Sequence, residues 1–318
     1  MGADFIEAEK RLRKIISNST FTFNGKKYKA GKVYKPQKQG SGGETKTDAY
    51  FIAKNLDDNI KEEFKISYKK TSFSFIENKL TEKNAPSLYG KNWSNVIKKR
   101  TSRLMDLFKE QVLFYEKAKP LPGGRHVYPG SIVLGWRNEF EAKKIGKKNG
   151  RYLSLPEDKA IFDTVWANAN KKPEYRNGIV KELDSKPITG SGESNHFLKM
   201  EIPDETIPVN EIFKKLKSLE QVKQEYNVYS SFIGHSYDPI NMKQHGGTSR
   251  DLAVVVDWKE KNGKLTAELN FENPLETNSN TSRDKIKEII KDFGLEVGKN
   301  FDIKKFKKIL DPSVRTYS

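Results

Sequence analysis

The chain has 318 residues, with 59 lysines and arginines against 42 aspartates and glutamates, a formal charge of +17 and no cysteine. The missing thiols exclude disulfides, thiolate nucleophiles and zinc fingers, and four scattered histidines without an i,i+4 pair leave oxygen as the main metal donor, which points to Mg²⁺. The positive surplus favours a nucleic acid, since a basic face releases counterions condensed on phosphates; no stretch approaches the ~18 apolar residues of a membrane span, and the acidic start MGADFIEAEK does not read as a signal peptide, so a cytoplasmic protein with no membrane partner is expected.

In chain order, residues 3–17 carry Phe5, Leu12, Ile15 and Ile16 on one side at a 3.6 period, which predicts a helix. Glu9 falls inside that stripe, about 40° from Phe5 at the helical advance per residue. A carboxylate facing a core needs a partner or a purpose, the plain alternative being a stripe-edge position that reaches water. Phe21-Thr22-Phe23, the turn Asn24-Gly25 and residues 28–34 predict a strand pair, and KPQKQGSGG over 35–43 reads as a flexible basic loop. Strands follow at 49–54 and 63–71, joined by a polar turn over 55–62, and then a long helix over about 92–117. The Pro- and Gly-rich stretch 120–130 marks a boundary between a first region, 1–122, and a second, 123–318. Beyond it the patterns predict a strand at 131–140, helices near 157–170 and 208–225, and strands near 226–233, 252–258 and 264–271. Asn278 or Asn280 caps a helix over about 282–293. Trp93, Trp136, Trp166 and Trp258 are read as core residues.

Residues 40–70, GSGGETKTDAYFIAKNLDDNIKEEFKISYKK, carry the chemistry. Asp48 enters one strand, and Ser67-Tyr68-Lys69 lies in the next. Alternation puts Ser67 and Lys69 on one face and Ile66 and Tyr68 on the other. A hairpin turning about Asp58-Asn59 sets Asp48 opposite Lys69 and diagonal to Ser67, at roughly 5 and 7–8 Å between Cβ atoms. Phosphodiester hydrolysis needs a hard cation, an activated water and charge stabilisation. Asp48 would bind Mg²⁺ with the Tyr68 carbonyl as a second ligand and Ser67 direct or through water. Lys69 would orient or deprotonate the water and neutralise developing charge. A surface hairpin with Asp48 and Lys69 as an ordinary ion pair is the structural alternative.

Asp48 with Ser67-Tyr68-Lys69, preceded by GGETKT, resembles the PD-(D/E)xK signature of type II restriction endonucleases. Two positions depart from it: Thr47 replaces the proline, and Ser67 stands where an acid is usual. The resemblance covers about residues 1–115. The fold expected is α/β, a mixed central sheet flanked by helices as the resemblance implies, with an α+β elaboration downstream; the Pro- and Gly-rich boundary makes 1–122 the catalytic core and 123–318 the recognition region. The resemblance also implies that the displaced acid comes from the following segment, with Glu77 preferred over Glu82, and that Glu9 is the glutamate an N-terminal helix directs at the site.

Lys46, Thr47, Lys65, Lys70 and Thr71 flank the centre and would meet phosphates. The basic run Lys98-Lys99-Arg100 with Arg103 would add to them, or be a solvated helical face. An 18-residue loop over 234–251 supplies Gln244, His245 and Arg250 for base edges, and Asn278, Asn280 and Arg283 form a second polar cluster. The expected function is sequence-specific, Mg²⁺-dependent cleavage of double-stranded DNA by a homodimer. The alternatives are a repair or resolvase-like nuclease of the same kind, or a non-catalytic nucleic-acid-binding protein.

Overall fold

The computed structural model describes residues 2–40, 44–71, 78–121, 126–144, 173–184, 186–247 and 249–318. The helix expected near 157–170, Trp166 and Glu77 lie outside them. The chain is mixed α/β, with sheets that combine parallel and antiparallel strands and with helices packed on them. It divides into two compact units: the described parts of 1–77, 141–148 and 158–229 make one, and those of 78–140 and 230–318 the other.

In the first unit, helix α1 (Gly2–Ile16) buries Ala8, Leu12 and Ile16, residues four apart that stack along one face. Strands β1 (Thr20–Phe23) and β2 (Lys26–Ala30) meet at Asn24 and Gly25, whose φ values of 49° and 78° are both positive, as the tight two-residue hairpin turn demands. Strands β3 (Ala49–Asn55) and β4 (Lys61–Lys69) continue the meander. The strand His196–Lys199 then pairs with β4 in parallel, His196 against Ile66 through Lys199 against Lys69, and Lys217–Ser218 closes a six-stranded sheet. Alternation turns Ala49, Phe51 and Ala53, with Phe64, Ile66 and Tyr68, into one core with Phe21, Tyr28 and Phe213. Phe21 stacks on Phe213 at 3.6 Å between centroids, and Phe51 on Phe64 at 5.1 Å.

The helix expected over 208–225 is two helices, Val209–Lys215 and Leu219–Glu225. Leu216 between them is extended and buried, and Ser218 starts the second with a capping box to Gln221, a strong local signal for a fresh helix start.

In the second unit an eight-stranded sheet runs through Lys243–His245, Tyr226–Asp238, Ile132–Lys144, Val254–Lys261 and Lys264–Asn270, with short strands Asn78–Lys79, Phe114–Tyr115 and Thr316–Tyr317 attached. Trp136 and Trp258 are in its core, and the Trp258 indole N–H donates to the Val133 carbonyl at 2.8 Å.

Three expectations need correction. The long helix over 92–117 is two short helices, Trp93–Ser102 and Met105–Lys109, because the following segment is needed as sheet: Phe114 pairs with Ile132 and Thr316. The 18-residue loop over 234–251 is mostly a hairpin, Ser236 facing His245. Its turn is built by Asp238, whose carboxylate accepts from the N–H groups of Ile240 and Asn241 at 3.0 and 3.1 Å. The division at residue 122 falls inside the second unit. The first unit instead recruits 196–199 to complete its sheet, and residues 93–109 belong with the second.

Candidate active site

The site is assembled where the β3–β4 ladder opens. Ala49 faces Ile66 and Lys54 faces Lys61, so the pairing centres between Asp57 and Asp58 rather than at Asp58-Asn59. The turn residues fix this register. Asn55 Oδ1 accepts from Asp57 N–H at 2.9 Å, Asp58 Oδ1 accepts from Ile60 N–H at 2.9 Å, and Asn59 takes a left-handed φ of 64°. Carried on by one residue, the register sets Asp48 against Ser67 and makes Lys69 the diagonal neighbour, the reverse of the expected order.

Past Ala49, a side chain takes over the ladder. Asp48 N–H donates to the Ile66 carbonyl at 2.8 Å, and Asp48 Oδ2 accepts from Tyr68 N–H at 2.8 Å. Asp48 is thereby welded to the strand that carries Ser67 and Lys69, and it is only 8% exposed. Phe5, Glu9 and Arg13, four residues apart on α1, meet this opening. The Phe5 ring lies 5.6 Å from the Tyr68 ring, and the Lys69 ammonium sits 5.6 Å from the Phe5 centroid, within cation–π range. Arg13 donates to the Asp48 carbonyl at 3.0 Å and stands 3.7 Å from Glu9. Glu9 is 3% exposed, so the stripe-edge alternative does not hold.

Between the two carboxylates lies an ammonium that the sequence did not single out. Lys35 Nζ is ion-paired with Glu9 Oε2 and stands 3.8 Å from Asp48 Oδ1. Burial, then the charge of Glu9, push the Asp48 carboxyl up to about 7, while Lys35, the Tyr68 N–H and Lys69 pull the other way. Burial works against the Lys35 charge, but Asp48 and Glu9 outweigh it and raise its pKa. The only clue in the sequence was indirect: a glutamate on an apolar stripe must find a counter-ion, and Lys35 opens the first basic loop after α1.

The flanking residues divide. Ser67 is buried beside Asp48 on β4. Thr47, expected to touch phosphate, is 0% exposed and its hydroxyl has no partner among the described residues, because the chain has turned inward there; that assignment is corrected. Lys46 is anchored through its backbone to Gly192 and Ser194. Lys70 is ion-paired with Asp4, and Thr71 is bound through N–H and hydroxyl to Glu201, so both are engaged within the fold. Lys65 stands 3.7 Å from Glu63.

In the second unit, Gln244 donates to Ser279 Oγ at 2.7 Å, the Arg250 backbone N–H donates to the same hydroxyl at 2.9 Å, and the His245 ring stacks on Tyr128 at 5.0 Å. Asn278 caps the helix Ser279–Asp292 as expected, and Asn280 accepts from Ser249 N–H and Arg283. Glu82 is exposed there, with its N–H on Asp251. Arg100 is corrected: it is fully buried and donates to Asn138 and Tyr89, so it belongs to the core rather than to a basic face.

Two buried carboxylates that share one cation, with a serine hydroxyl and a second ammonium on the adjoining strand, can bind a hard metal ion and neutralise an anion beside it. Comparison with protein-family models, with curated proteins and with solved structures returned no significant match.

Proposed function

We propose that the chain is a Mg²⁺-dependent endonuclease that hydrolyses phosphodiester bonds in double-stranded DNA, of the type II restriction kind. The observation that carries this reading is the burial of Asp48 and Glu9 around a shared cation position, with Arg13 on the far side of Glu9, at the end of the strand that bears Lys69. Burying two acids together is costly, and functional sites are where such cost is found.

The donor set fits Mg²⁺. Asp48 Oδ2 is held by the Tyr68 N–H, which leaves Oδ1 on the side of the cation that also engages Glu9. Among the described residues no three His, Cys, Asp or Glu side chains form a metal-holding group. Mg²⁺ needs no such cage, because one or two carboxylates suffice when water and phosphate oxygens fill the remaining positions. Asp48 and Glu9 would hold the ion, which supplies positive charge to a phosphoryl oxygen and acidifies a bound water. Lys69 Nζ neutralises the charge that builds on the phosphate in the transition state, and the Ser67 hydroxyl adds a hydrogen bond beside it. The Phe5 ring, 5.6 Å from the Lys69 ammonium, helps to hold that charge at the site. A symmetric duplex site calls for one centre per strand, hence a two-fold homodimer.

The nucleic-acid partner has a second support. Lys29, Lys54 and Lys61 face one another directly across β2, β3 and β4, all exposed. Like charges opposed in this way destabilise a sheet unless a polyanion lies over them. The same row favours the second reading, a binding protein without catalysis. Digestion of a supercoiled plasmid separates the two: discrete products with Mg²⁺ and none with EDTA support the nuclease. An uncut plasmid that the protein still binds leaves only the binding module.

A further inference from the structure

Lys35 is fixed in an unusual way. Its neighbours on both sides are tied down by backbone pairs: Tyr34 exchanges hydrogen bonds with Tyr50 at 2.9 and 2.8 Å, and Gln37 with Ile179 at 2.8 and 2.8 Å. Pro36 stiffens the link between them. The four-carbon side chain is thus the mobile part, and at 29% exposure it has a route to solvent. Its ammonium reaches both Glu9 and Asp48, the two groups that would hold the metal. An ammonium and a divalent ion cannot occupy one position between two carboxylates.

We propose that Lys35 is a built-in stand-in for the divalent cation: its ammonium neutralises the Asp48–Glu9 pair while the metal is away, and swings out on its stem when the metal arrives. The inference rests on the metal-dependent reading above and adds an exchange step to it. Arg13 stays beside Glu9 throughout, so the exchange keeps Asp48 from facing Glu9 without a cation between them, and it sets metal affinity by competition with an internal cation rather than by the carboxylates alone. Because the backbone on both sides of Lys35 is pinned, the exchange needs no movement of β3 or β4.

The test uses the full chain and Mg²⁺ alone, without DNA. Calorimetric titration of wild type and Lys35→Met at matched ionic strength is expected to show a Mg²⁺ dissociation constant lower by roughly ten-fold in the variant, the scale of one lost charge-assisted contact. In wild type, reductive methylation of Lys35 followed by peptide mass spectrometry is expected to speed up several-fold on adding Mg²⁺, with exposed Lys54 unchanged as the internal reference. The labelling arm decides the matter if Lys35→Met does not fold. Equal Mg²⁺ affinities with unchanged Lys35 labelling overturn the exchange and leave the metal reading standing. Weaker Mg²⁺ binding in the variant also overturns it, since Lys35 would then assist the ion. No Mg²⁺ binding by either protein overturns the metal reading and the exchange together.

Discussion

The opening of the β3–β4 ladder and the hairpin joint of the second unit are both rich in polar side chains, yet they bury them for different reasons. At the joint, Asp238 closes a turn, Asn278 caps a helix, and Ser279 is shared between Gln244 and the Arg250 backbone. Each of these groups satisfies backbone or neighbouring atoms that folding would otherwise strand, which is architecture. At the ladder opening, Asp48 also satisfies one backbone N–H, but Glu9 lies beside it and adds repulsion that no turn or cap requires. Polar burial that relieves the backbone is scaffold; polar burial that adds like charges to one another points to a cation.

The largest effects belong to Asp48 and Lys69. Asp48→Ala and Lys69→Ala are each expected to lower cleavage by at least roughly a thousand-fold while DNA affinity changes only a few-fold, measured by plasmid digestion and by filter binding. Wild-type cutting rates in both would remove the centre from the ladder opening.

Next in size is a stability effect with a definite sign. The folded Asp48 pKa lies above the unfolded one, so its contribution to stability is fully present below pH 3.8 and is lost as pH rises through about 7. Asp48→Asn keeps an acceptor for the Tyr68 N–H and removes the charge. Urea unfolding without metal should therefore find the variant more stable than wild type at pH 8, by an amount on the order of a few kcal/mol, and nearly equal to it at pH 4. A variant less stable at pH 8 would show that the aspartate is there for structure.

The joint gives the complementary, smaller response. Asn278→Ala is expected to cost about 1 kcal/mol in the same assay through the lost helix cap, with Mg²⁺ affinity unchanged. The smallest effect belongs to the lysine row: Lys54→Gln and Lys61→Gln should each reduce the salt dependence of DNA binding by about one counterion without changing sequence preference. A shift in which sequence is bound would place base reading on this face of the sheet.

Local patterns made much of the first unit legible. The α1 stripe, the Asn24-Gly25 turn and the two strands around Asp48 and Lys69 each depend on residues a few positions apart, as does the Asn278 cap in the second unit. What stayed hidden depends on distant partners. The register slipped by two because Asn55 and Asp58 bind their own turn, and a slip of two keeps every side chain on its expected face, so alternation cannot detect it. Lys35 finds Glu9 from 26 residues away, and nothing in its own neighbourhood announces it. The broken helix at 102–105 reflects the demand of Ile132 and Thr316 for a strand partner at Phe114, a tertiary need that outweighs helical periodicity.

The parallel partner of β4 has a practical corollary. Since His196–Lys199 covers the outer side of Ile66–Lys69, a polypeptide cut after residue 122 would carry the whole motif and still leave that strand with a bare row of amide and carbonyl groups. Such a fragment would tend to stick to its own copies through the exposed edge. Anyone wishing to shrink the protein has to keep residues 196–199 together with β3 and β4.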